Sequence, residues 1–463
     1  MTSVRERIAI VFMTVSVIAT LALGGAVIHE LNRKPTTVAA NGAGASATSP
    51  EPGIAADQGS SGQAAAGTAG SAGSAGSAGS AGQTVSHGGT AGAAAPAGQL
   101  SNAAVAAGGV ITLGGVYDET GPFDATVERD TVKAYFNKVN DAGGVNGHKL
   151  QLLDCDSGYD PSRAHQCTQR LLSQGVLAMV GPLSVSGEEP ETQFLNSQGV
   201  PMIGGLGVPS EFKVPLSWQV TASLTRYGTA LGTHAKDLGI KAPEVLIINA
   251  NFIAPVKDAI LAALHQQGIK EKSVDIVDAT KPDYTDIALK TSSEGADSII
   301  AGLDPFSYAR LFQALDRQNF HPKILGLGLD KASANKSYGA AANNAESLTP
   351  LLEPWDHHND PGVADYEGTV RKYFPGQVPA LDVYTEGDWV AAELFVEAVK
   401  RIGNAPVTRQ SLANALNAIQ NFNPGITVPL SYGAGDSHDP NHCFQWIKNQ
   451  GGNWSTYSGW NCF

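Results

Sequence analysis

Two histidine groupings carry the residue types that a metal would need. His438 and His442 stand four apart beside Asp439 and Cys443, and His357-His358 precede Asp360. Asp439-Pro440 breaks any helix that would bring His438 and His442 to one face, so no metal is expected there. Gly326-x-Gly328 lies inside a strand pattern and opens no helix, which removes the dinucleotide-loop reading. The sequence has no Gly-x-Ser-x-Gly elbow, phosphate loop or His-Glu-x-x-His, so neither catalysis nor a cofactor is expected. What remains is binding chemistry. Asp304 follows the apolar run Ser298–Gly302, and Asp330 follows Lys323–Leu329. Asp330, at the carboxyl end of a strand, is placed to meet a ligand. Asp304, directly before Pro305, reads first as a helix N-cap and only second as a ligand contact. Phe123, Phe252 and Phe306 lie near the ends of other runs and suit either a cleft wall or a core.

The elements that would position these residues alternate. Ile111–Val116 reads as a strand; the helix after it puts Val132, Tyr135, Phe136 and Val139 on one face and ends at Gly143-Gly144; Lys149–Leu153 is a second strand. Asp160-Pro161 caps a helix carrying Ala164, Cys167, Leu171 and Leu172, and the apolar strand Val176–Val180 follows. Further pairs follow: a helix over 188–197 with a strand at 200–203, a strand at 245–248 with a helix beyond, strands at 274–277 and 298–302, and a helix over 305–317. This alternation predicts an α/β protein with mainly parallel sheets flanked by helices, and the interruption near Trp218 predicts two of them. Beyond Asp330, Glu346–Trp355 reads as a crossover. Helices are expected near 363–373, 389–402 and 409–419, then a strand at 427–432 and a hairpin around Phe444-Gln-Trp446.

Ahead of these elements, Ile8–Ile28 is the only long apolar run, and Arg5 and Arg7 precede it. It is long enough to span a bilayer with its N-terminus inside, as an uncleaved anchor or a cleaved signal. The folded part is then exported, either held at the cell membrane or secreted. From Pro35 to Gly109 the chain is rich in Gly, Ala, Ser and Thr, with a Gly-Ser-Ala repeat over 70–82. It offers too little apolar surface to offset its ordering entropy, so a flexible tether is expected. The net charge of −13 leaves no basic excess for nucleic acid. The four cysteines, Cys155, Cys167, Cys443 and Cys462, suit an oxidising compartment. Each sequence-local pair brackets one supersecondary unit, so Cys155–Cys167 and Cys443–Cys462 bonds are expected.

Several segments together carry a family likeness. They are Thr120-Gly-Pro122, Asn140-Asp-Ala-Gly-Gly-Val-Asn-Gly-His-Lys-Leu150, Asp160-Pro161, Val180-Gly-Pro-Leu183, Ile299-Ile-Ala-Gly-Leu-Asp-Pro305, Val428-Pro-Leu-Ser-Tyr432 and Phe444-Gln-Trp446. In this order, from Ile111 to the C-terminus, the chain resembles the substrate-binding proteins of branched-chain amino acid ABC transporters. The resemblance implies the type I periplasmic-binding fold, with two lobes joined by three hinge crossovers and closing on a ligand. Lobe 1 would comprise about 110–226 and 355–440, and lobe 2 about 227–354 and 441–463. It also implies a monomer that delivers a small molecule to an ABC permease, or, on the same fold, a sensor that signals to a partner protein.

The resemblance further implies a ligand site, and there the sequence departs from the pattern. Amino-acid binders of the family hold the ligand carboxylate with hydroxyls on two successive loops. Here the first loop offers Ser184 and Ser186, which can equally cap the following helix, and the second, Gly204-Gly-Leu-Gly207, offers no hydroxyl. The second-lobe aromatic is Phe252, without a phenol. Gly328 stands near the family's acid, with Asp330 two residues on. The expected ligand is a small organic solute, amino acid-like or a small carboxylate or aromatic, with an apolar body and one acidic or carbonyl end.

Overall fold

The computed structural model describes residues 98–121, 124–435 and 438–463. The apolar run at 8–28, the tether as far as residue 97 and Phe123 lie outside the described residues. Among the described residues no helix is long and apolar enough to cross a membrane.

The first sheet uses β1 (Ile111–Tyr117), β2 (Leu150–Asp156), β3 (Met179–Val180), β4 (Met202–Ile203) and β5 (Ser217–Trp218), with α1 (Thr126–Asp141), α2 (Pro161–Ser173) and α3 (Glu188–Ser197) between them. Its order is β2-β1-β3-β4-β5, with every neighbouring pair parallel. After α4 (Leu224–His234) come β6 (Pro243–Ile248), α5 (Ile253–Gln266), β7 (Ser273–Val277), α6 (Thr285–Ser293), β8 (Ser298–Gly302), α7 (Pro305–Arg317), β9 (Lys323–Leu327), α8 (Ala332–Tyr338) and β10 (Glu346–Thr349). Three helices then return to the first sheet: α9 (Pro361–Tyr373), α10 (Val383–Ile402) and α11 (Arg409–Asn417). The chain closes with β11 (Cys443–Gln450), β12 (Asn453–Thr456) and β13 (Asn461–Cys462). The second sheet runs β12-β11-β10-β9-β8-β6-β7, parallel through its centre and antiparallel from β10 to β12, and β13 pairs with β11.

Local chemistry sets several boundaries. Asp160 accepts from the backbone N–H of Ser162 and Arg163 at the start of α2, with Pro161 at the first helical position. Asp382 and Thr385 form a reciprocal capping box on α10. Trp389 on α10 is buried against Tyr135 of α1, with ring centroids 4.7 Å apart, so the returning segment completes the core of the first lobe. Val105 and Leu100, within the segment assigned above to the tether, also pack on that core, and Val105 N donates to Val407 O at 2.9 Å.

Two expected elements come out differently. Glu346–Thr349, read as part of a crossover, is strand β10 beside β9. The 427–432 segment makes only one bridge, Phe422 to Leu430, because Pro429 has no N–H to extend a ladder. Both disulfides form as expected: Cys155–Cys167 ties β2 to α2, and Cys443–Cys462 joins directly opposed residues of β11 and β13.

The chain passes between the two sheets after β5, after β10 and before β11, and these crossings are tied together. Thr427 Oγ1 donates to Pro350 O at 2.6 Å, and Asn441 Nδ2 donates to Pro350 O at 3.1 Å and to Thr427 Oγ1 at 2.9 Å. Tyr432 Oη donates to Gln219 O at 2.6 Å. All of these residues are buried, so the hinge is a hydrogen-bonded bundle of strands.

Candidate functional site

A cavity of about 100 Å³, several times the space one water needs, lies between the two sheets. Most of its wall comes from residues just past the carboxyl ends of strands, where open α/β sheets place ligands. Tyr159 follows β2, Leu183 and Val185 follow β3, Leu206 follows β4, Phe252 follows β6, and Asp330 follows β9. The first turns of α10 add Tyr384 and Asp388.

Of the residues singled out from the sequence, Phe252, Asp304 and Asp330 border the cavity. Ser184, Ser186, Gly207 and Phe306 do not, although Val185 and Leu206 beside them do. Phe306 sits on the first turn of α7 with 39 % of its surface exposed. Asp304 accepts from the backbone N–H of Phe306 and Ser307 and from the Ser307 hydroxyl, so its carboxylate acts as the cap of α7. Ser186 contributes its carbonyl, which accepts from Asn251 Nδ2 at 3.3 Å across the cleft.

The two first-lobe loops are held by acids rather than left open to a ligand. Buried Asp118, just past β1, accepts from Ser157 Oγ at 2.6 Å, Tyr159 N at 2.8 Å, Val185 N at 2.8 Å and Ser184 Oγ at 3.4 Å. Glu188 accepts from Ser184 N at 2.9 Å and from Leu206 N, and Glu211 accepts from Gly207 N at 2.8 Å. Burial pushes both glutamic acids up, and Glu188 raises Glu211 further. Gly205 is required here: its φ is +151°, and a Cβ would come within 2.3 Å of Glu211 Oε1.

Burial raises Asp330 to about 7, with Asp382 adding to the shift and Lys331 opposing it. Asp388 is raised well above the usual carboxylate range, again chiefly by burial, and its Oδ2 has no hydrogen-bond partner among the described residues. Lys331 is buried between Glu128 of α1 and Asp382, with Asp382 Oδ2 3.2 Å from Nζ. Burial alone would pull this lysine down, but the two carboxylates outweigh it and raise it. Since Lys331 follows β9 while Glu128 and Asp382 belong to helices on the first sheet, this triad joins the lobes across the cleft.

Sequence reasoning missed Tyr159, Thr221, Tyr227, Tyr384 and Asp388, all on the cavity wall. Only Tyr159 carried a local signal, in its place beyond a strand and directly before the Asp160-Pro161 cap. Tyr384 and Asp388 sit one helical turn apart on a helix that returns to the cleft more than 200 residues after β1.

A family model described as periplasmic binding protein matches residues 110–453. A Leu/Ile/Val-binding protein homologue of Brucella melitensis is 22% identical over 313 residues, covering 66% of this chain and 83% of that protein. Among solved structures, a fatty acid ABC transporter substrate-binding protein from Thermomonospora curvata aligns with a TM-score of 0.69 at 18% identity, covering 79% of this chain and 95% of that one. A branched-chain amino acid ABC transporter protein from Thermus thermophilus with bound valine gives 0.68 at 17% identity, covering 77% and 97%. At these identities the structural likeness speaks to fold alone.

Proposed function

Because this chain belongs to the periplasmic binding protein family, whose members are solute-binding proteins and not enzymes, we propose that it is the extracytoplasmic substrate-binding component of an ABC importer. It captures a small organic solute by hinge closure of two lobes and presents it to a permease. The N-terminal apolar run at 8–28 holds it at the outer face of the membrane, and the tether lets the folded part move there.

The observation that carries this reading is the mainly apolar cavity between two lobes, bordered by strand ends from both sheets and bridged by hydrogen-bonded hinge strands. Relatives named for leucine, isoleucine and valine, for fatty acids and for bound valine favour a solute with an apolar body. Fluorophores at Gln174→Cys in lobe 1 and Lys270→Cys in lobe 2 report the distance between lobes. A solute that binds should change that distance, and the loaded protein should stimulate ATP hydrolysis by its permease complex. Binding that closes the lobes without stimulating any permease would overturn import in favour of sensing.

A further inference from the structure

The cleft that the solute-binding reading relies on has an unusual charge balance for a site expected to hold an acidic group. Among the described residues lining it there is no lysine, arginine or histidine, while Asp304, Asp330 and Asp388 all border it. A bound carboxylate would therefore need backbone amides or hydroxyls. The amides of Ser184, Val185, Leu206 and Gly207 already donate to Glu188, Asp118, Glu188 and Glu211 respectively. The Ser184 hydroxyl faces Asp118, and Asp304 occupies the first amides of α7. Lys331, next in the chain to Asp330, is engaged by Glu128 and Asp382. The wall's remaining side-chain donors are the neutral hydroxyls of Tyr159, Thr221, Tyr227 and Tyr384, and an anionic ligand end would meet them beside three carboxyl groups with no lining cation to offset its desolvation.

A cation would be received differently. Asp330 is 3 % exposed and borders the cavity together with the phenol rings of Tyr227 and Tyr384, on both of which its charge acts. Aromatic faces beside a carboxylate favour an ammonium group. Asp388, 4 % exposed and also on the wall, leaves Oδ2 without a partner among the described residues. That oxygen can take a second N–H or O–H from a ligand. Leu206, Phe252, Ile253 and Leu327 supply an apolar surface for the ligand's body.

We infer that the cleft takes a small, mainly apolar molecule with a protonated amine and no free carboxylate, its ammonium held by Asp330 between Tyr227 and Tyr384. The inference rests on the solute-binding reading and narrows it to one charge class. It departs from the acidic end expected from sequence because Asp118, Glu188 and Glu211 already take four backbone N–H groups of the two loops and the lining carries no cation.

Two matched series test it on the full chain in mild detergent, by calorimetry at pH 8. The first compares 3-methylbutylamine, leucine and 4-methylpentanoate; the second compares 2-phenylethylamine, phenylalanine and 3-phenylpropanoate. Each series keeps one apolar body and varies only its charged ends. In at least one series the amine should bind about tenfold or more tighter than the amino acid, with the carboxylate weaker still. Asp330→Asn should remove the amine's advantage, whereas Asp316→Asn, exposed near the far end of α7, should keep it. An amino acid or carboxylate binding as tightly as its amine, or no binding by either amine, overturns the inference. The wild-type comparison decides even if a variant does not fold. Failure of the solute-binding reading is a separate result, in which no solute of any charge class changes the distance between lobes.

Discussion

Replacing Lys331 with methionine should destabilise the protein through one identifiable group. The lysine is 1 % exposed and faces two fully buried carboxylates contributed by the other lobe. Removing one member of a buried ion pair typically costs about 3–5 kcal/mol, because a charge is left without its partner. The two acids would not share that cost equally. Asp382 keeps the backbone N–H of Ala332 at 3.0 Å, Tyr384 at 3.2 Å and Thr385 at 3.3 Å. Glu128 loses its cation, and its other oxygen, Oε2, has no hydrogen-bond partner among the described residues to begin with. Burial already raises Glu128 to about 7 against the pull of Lys331, so without the lysine it should be neutral at pH 7. Protonation limits the loss, which should be about 3 kcal/mol at pH 8 and smaller at pH 5. Because the strained contact lies between the lobes, opening the cleft would also relieve it by admitting water. Urea unfolding followed by tryptophan fluorescence, read with the interlobe fluorophore distance, measures both effects. Adding Glu128→Gln to Lys331→Met should recover most of the loss, since no buried charge then remains unpaired at that position. Wild-type stability and interlobe distance in Lys331→Met, or a double variant less stable than the single, would refute the reasoning.

Stability should fall between pH 5 and pH 8. Burial raises Glu128, Glu244 and Glu393 from 4.5 to about 7, so the stability they confer is present below their unfolded values and lost as pH rises through 7. His438, lowered by burial, works in the opposite sense but is one group against several; a higher urea midpoint at pH 8 than at pH 5 would contradict the expectation. Amine affinity should weaken in acid, because Asp330, faced by Lys331 and Asp382 and raised to about 7, must be ionised to pair with an ammonium. That amounts to roughly a hundredfold loss from pH 8 to pH 5, and calorimetry showing a flat profile would exclude Asp330 as the partner. Deleting residues 1–97 should leave a cooperatively unfolding protein. Extending the deletion through Gly109 removes the packing of Leu100 and Val105 and the Val105–Val407 hydrogen bond, so thermal melting should show a loss of about 1–3 kcal/mol.

Much of the fold was legible because its signals are local. The helices at 188–197 and 305–317 follow from apolar spacing and from caps such as Asp304-Pro305, and both have the expected bounds. Both disulfides close short stretches of chain. Glu346–Thr349 was less legible, since four residues with one aliphatic side chain become a strand only once β9 and β11 offer partners.

The candidate site divides along the same line. Period, caps and glycine turns act within a few residues, so the sequence by itself determined the alternating elements, the two-sheet plan and a cleft at the strand ends carrying Phe252 and Asp330. Tertiary structure decided what that cleft can hold. Ser184 looked available because nothing in its own segment shows Asp118, 66 residues away, at the end of a neighbouring strand. Lys331 could not be matched in advance with Glu128, 203 residues earlier, and Tyr384 and Asp388 reach the wall only because α10 returns to the first sheet. Whether a buried carboxylate caps a backbone, pairs with a lysine or waits for a ligand depends on which groups desolvate it and which reach it, and packing between distant segments sets both.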